Sequence, residues 1–72
     1  MAHLTPREYD LLERAIMEGR RVALVRQGRE VVVIPLRLFM RGGREVIESR
    51  HPTTGHLMTS VIEDLDAVEV LS

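Results

Sequence analysis

Arg37, Phe39 and Arg41 stand two residues apart in the segment Ile34-Pro35-Leu36-Arg37-Leu38-Phe39-Met40-Arg41-Gly42-Gly43-Arg44. Side chains two apart in an extended chain share one face. The spacing therefore puts a guanidinium, an aromatic ring and a second guanidinium in one row, provided Leu36, Leu38 and Met40 point into the core. Such a row suits an anionic ligand, a nucleotide or single-stranded nucleic acid, with charge for the phosphates and a ring for the bases. Arg44, beyond the glycine pair, and Arg20 and Arg21, earlier in the chain, extend the candidate basic surface. The same residues also read as a solvated strand face, with Phe39 covered by a helix or a second subunit. Arg20 and Arg21 would equally complement the dipole of a preceding helix.

Other polar groups offer less. His51 and His56 flank a loop and are expected to be a polar pair, because a metal site needs further ligands and no third His or Cys is nearby. Ser49, Thr53, Thr54 and Ser60 have no base and orienting acid placed beside them, so none reads as a nucleophile. Turn and helix-start chemistry accounts for Glu63-Asp64-Leu65-Asp66. No enzymatic activity, metal or cofactor is expected.

The charge pattern is uneven. All ten basic residues are arginine, and the net charge is −1. A GC-rich genome explains the lack of lysine and asparagine, and a thermophilic source would also suit it. Seven arginines lie between Arg20 and Arg44 against one acid, Glu30, whereas four acids and no arginine follow Arg50. This asymmetry fits an anion site, or two surfaces that pair between subunits. With no cysteine there are no disulfides. No segment reads as a signal peptide or membrane span, so the expectation is a cytoplasmic protein with no membrane partner.

One helix and five strands must carry these residues within one domain, 1–72. Thr5-Pro6-Arg7-Glu8 is a capping box, and the stripe Tyr9, Leu12, Ala15, Ile16 predicts a helix over 6–18, with Leu4 and Tyr9 as a hydrophobic staple. Asp10–Arg14 and Arg14–Glu18 are spaced for i,i+4 pairs, and Gly19 is the stop. Strands are predicted over about 21–27, 29–41, 44–50, 56–62 and 67–71. The apolar run Val31-Val32-Val33-Ile34 suggests cover on both faces, Pro35 marks a bend or edge, and a single helical turn is expected over 63–66. Short strands at this spacing predict a mainly β chain with one N-terminal helix, a small, strongly bent five-stranded barrel. Its expected core is Leu12, Ile16, Val22, Leu24, Val32, Ile34, Leu36, Leu38, Ile47, Val61, Leu65, Val68 and Val70.

Several of these segments resemble one family. Leu12-Glu13-Arg14-Ala15-Ile16-Met17-Glu18-Gly19-Arg20-Arg21-Val22 looks like the helix-to-strand passage of WYL domains. Ile34-Pro35-Leu36-Arg37-Leu38 with Arg41-Gly42-Gly43-Arg44 resembles their central hairpin, and Leu65-Asp66-Ala67-Val68-Glu69-Val70-Leu71 their last strand. The resemblance covers roughly residues 11–72. It implies a five-stranded SH3-like or Sm-like barrel that serves as the ligand-sensing module of bacterial transcription regulators and binds nucleotides or nucleic acid. The Trp-Tyr-Leu that names the family falls at Glu45-Val46-Ile47, and its frequent basic positions fall near Val61 and Asp64. A shorter resemblance, through Tyr9-Asp10 with Leu12, Glu13 and Ala15, is to Rof-type Rho inhibitors. Two functions remain open: a stand-alone WYL-like module for an anionic ligand, or a protein-interaction module that forms a homodimer or binds a regulator partner.

Overall fold

The computed structural model describes residues 3–71. Helix α1 spans Pro6–Glu18, followed by strands β1 (Val22–Arg26), β2 (Arg29–Arg41), β3 (Arg44–Arg50), β4 (Leu57–Val61) and β5 (Ala67–Val70). The expected class holds: one helix, then a five-stranded antiparallel sheet in the order β4-β3-β2-β1-β5. The turn expected over 63–66 is a 3₁₀ helix one residue earlier, Ile62–Asp64.

Helix α1 starts where its capping box dictates. The Glu8 N–H donates to Thr5 Oγ1 (3.2 Å), and the Thr5 N–H donates to Glu8 Oε1 (3.0 Å). At the other end Gly19 adopts φ +67°, a left-handed conformation that costs a Cβ-bearing residue energy. This lets the Arg20 N–H reach back to the Ala15 carbonyl (2.9 Å). The bond from the Thr5 backbone N–H, helped by the Thr5 hydroxyl contact, holds the Glu8 carboxyl below its ordinary pKa. A lowered folded-state pKa means that stability is present above the unfolded pKa and is lost as pH falls through the folded one. Denaturant melts of the native chain and Glu8→Gln should therefore converge as pH drops below about 4. A gap that stays constant with pH would refute this.

The pairs expected along the helix, Asp10–Arg14 and Arg14–Glu18, do not form; Glu18 instead meets Arg20 beyond the helix end. The apolar face of α1 buries Leu12 and Ala15, with Leu4 just before it, against Val22, Leu24, Val33, Ile47, Ile62 and Leu65. Tyr9, Ile16, Leu38, Met58, Val68 and Val70 pack around this core half-buried.

Strand β2 belongs to two ladders, pairing with β1 over its first half and with β3 from Ile34 onward. Its register slips between Pro35 and Arg37, so Leu36 is an extra residue, a β-bulge that bends the strand. This slip corrects the expected core. Strict alternation puts Val32, Ile34 and Leu36 inside. In the structure Val33 and Pro35 are buried, Val32 and Ile34 are half-buried, and Leu36 is exposed. Val61 is half-buried, while its neighbour Ile62 enters the core. Nor is Val31–Ile34 covered on both faces, for Val31 is exposed.

Two tight hairpins frame the sheet. Gln27-Gly28 joins β1 to β2 and Gly42-Gly43 joins β2 to β3, both turns with two positive φ values. Those values define the type I′ turn that matches strand twist. Gln27, at φ +51°, is the one non-glycine residue in this region among those described, and its N–H donates to Asp66 Oδ2 at 2.7 Å. The loop after β3 is tied by the His51 ring, whose Nδ1 accepts the N–H groups of Thr53 (3.3 Å) and Thr54 (3.2 Å). That accounts for His51 as a loop anchor. No cluster of three or more potential metal ligands occurs among the described residues.

Candidate functional site

Counting outward from Gly42-Gly43 pairs Arg41 with Arg44, Phe39 with Val46 and Arg37 with Glu48. Cross-strand partners share a face, so all six lie together on the face opposite the core. The row of Arg37, Phe39 and Arg41 is therefore real. The Arg37 guanidinium carbon lies 4.4 Å from the Phe39 ring centroid and that of Arg41 lies 5.1 Å away, both within cation–π range. Phe39 is half-buried, not an open platform. It stands between the arginines two residues before and after it, over its strand partner Val46, which is only 3% exposed.

The charges of this face are largely answered from within the chain. The Arg37 Nε–H donates to Glu48 Oε1 at 2.9 Å. Arg44 holds Glu63 through its Nε and reaches Asp64 at 3.5 Å. Arg41 has no ion-pair partner among the described residues. Exposed pairs of this kind contribute about 0–1 kcal/mol each, so their effect is on direction more than on stability: they orient the guanidiniums and cancel most of the local field. The basic middle and the acidic tail thus meet inside one chain at Arg44.

Arg20 and Arg21 lie between α1 and β1, away from the Gly42-Gly43 hairpin. Arg20 is paired with Glu18, and the Arg21 carbonyl accepts the Leu71 N–H (2.9 Å). They do not join the row. Sequence reasoning missed Glu48, although the hairpin count would have found it. It also missed Arg26 and Arg29, which the two-residue Gln27-Gly28 turn makes direct cross-strand partners.

A helix followed by a five-stranded antiparallel sheet, with β2 shared by two ladders, defines a small mainly β domain. Among solved structures the chain is similar to proteasome accessory factor B/C (PafBC) of Arthrobacter aurescens, a likeness that supports a WYL-like fold. The TM-score is 0.73 at 19% identity over 94% of this chain. At that identity the likeness is one of fold, and it spans 12% of the PafBC chain. No protein-family model and no curated protein matches the chain. No described helix is long and apolar enough to cross a membrane.

Proposed function

We propose that this chain is a regulatory binding module that holds a nucleotide or single-stranded nucleic acid on the outer face of β2 and β3, through Arg37, Phe39 and Arg41. The observation that carries this reading is the stack itself, a ring supporting two guanidiniums at 4.4 and 5.1 Å. A guanidinium held over a ring leaves N–H groups for phosphate and a face for a base. Arg41 is the stronger phosphate contact, since it has no carboxylate to displace. Arg37 contributes the N–H groups that Glu48 leaves unused. The regulatory part of the proposal rests on the WYL-like fold and its likeness to a segment of PafBC.

Titration of a labelled oligothymidine at two salt concentrations tests it. Two phosphate contacts on a single strand give a salt slope near −1.4, so affinity should fall about sevenfold between 50 and 200 mM salt. The Arg37→Ala/Arg41→Ala variant should lose both the binding and the slope. Absence of binding at 50 mM salt, or unchanged binding by that variant, would sink the proposal.

A second reading, assembly with another copy or a partner protein, has its own support in Leu57, which is 66% exposed on the outermost strand β4. A solution mass that rises to twice the monomer with concentration would favour it.

A further inference from the structure

The two hairpins end alike: each closes on a directly opposed pair of arginines, Arg41 with Arg44 and Arg26 with Arg29. Like charges facing each other across strands are destabilising unless neutralised. At the first hairpin Glu63 and Asp64 supply the neutralising charge to Arg44. At the second, neither arginine has a carboxylate within ion-pair distance among the described residues. Asp66 sits beside this turn, but its Oδ2 accepts the Gln27 backbone N–H and its own N–H donates to the Val25 carbonyl (2.8 Å). The acid holds the turn in shape and leaves the guanidiniums unanswered.

What lies beneath that pair differs from the outer face. Arg26 and Arg29 follow Leu24 and Val31 in register, so they project on the core side of the sheet. There they rim a cleft of about 600 Å³ between the β1–β2 hairpin and β4. Buried Leu24 and Leu65, half-buried Met58 and 42%-exposed Val31 form its apolar floor. Ser60 adds a hydroxyl on the β4 side. A volume in the range of small-molecule sites, an apolar floor and a few convergent polar groups together describe a ligand pocket. The paired forks select an anionic head.

We propose that this cleft binds a small amphipathic organic anion, its carboxylate or sulfonate held by Arg26 and Arg29 and its apolar body laid over Leu24, Val31, Met58 and Leu65. The site is separate from the outer Arg37–Phe39–Arg41 row and stands whether or not that row binds nucleic acid.

The test uses the intact chain with 8-anilinonaphthalene-1-sulfonate as probe and its uncharged analogue N-phenyl-1-naphthylamine as control. Saturable, blue-shifted fluorescence is expected with the sulfonate, displaced by 1-naphthoate. Arg26→Gln/Arg29→Gln should weaken the sulfonate at least tenfold and leave the uncharged analogue within twofold. Both arginines are exposed, so the variant keeps its fold, and circular dichroism melts should confirm it. In the native chain, the Met58 methyl resonance should shift on titration and that of Met17 should not. Arg37→Ala/Arg41→Ala should leave this titration unchanged, which separates it from the nucleic-acid test. No saturable sulfonate binding, equal binding by the Arg26/Arg29 variant, or a shift confined to Met17 would each overturn the proposal.

Discussion

Ile47→Ala is expected to leave this domain largely unfolded at moderate denaturant. Ile47 is 0% exposed on β3, opposite Leu38 on one side and Ser60 on the other. It belongs to the cluster in which the sheet meets Leu12 of α1. Truncating a fully buried isoleucine costs about 2–5 kcal/mol, the lost burial plus the cavity left behind. A chain of this length has a total stability of about 4–11 kcal/mol at 0.05–0.15 kcal/mol per residue. The loss is thus a large share of the whole. With a urea m-value near 1 kcal/mol/M, the midpoint should drop by about 2 M or more. A drop below about 0.5 M would mean that Ile47 is not at the centre of the core.

The second large effect tests the bulge. Val33→Asp should abolish folding, whereas Leu36→Asp should cost about 1 kcal/mol or less. Val33 is 0% exposed and Leu36 is 37% exposed, the reverse of what unbroken alternation through the strand dictates. A carboxylate at Val33 would lie unpaired among Leu12, Val22 and Ile47, where the effective penalty is several kcal/mol. At Leu36 it would reach water, as surface substitutions do. Amide dispersion in a proton–nitrogen correlation spectrum reads the outcome directly. If Leu36→Asp collapses the spectrum and Val33→Asp does not, the register slip is in the wrong place.

Much of this architecture is written in short-range chemistry. Thr5-Pro6-Arg7-Glu8 and Gly19 bound the helix because both ends are settled by hydrogen bonds within a few residues. Gly42-Gly43 sets the hairpin register because a two-residue turn leaves one way to pair the strands, and that register carries Arg37, Phe39 and Arg41 to one face. The row was legible for that reason, and so was its partner Glu48. The core positions of β2 before its bulge were not. A bulge adds one residue without changing composition, and every side chain on its far side then changes face.

The sequence alone determined the helix, the turns and the alternation after the bulge, since each depends on neighbours within a few positions. Only the tertiary structure decided what Arg44, Arg26 and Arg29 face, because that depends on residues far apart in the chain. Glu63 and Asp64 arrive at Arg44 from about twenty positions away. Asp66 reaches the Gln27 turn from 39 residues away and leaves Arg26 and Arg29 unanswered over a cleft. Identical residue types at two similar hairpins thus end with different charge environments. Coulomb attraction acts through space between elements that the hydrophobic core, not the local sequence, brings together.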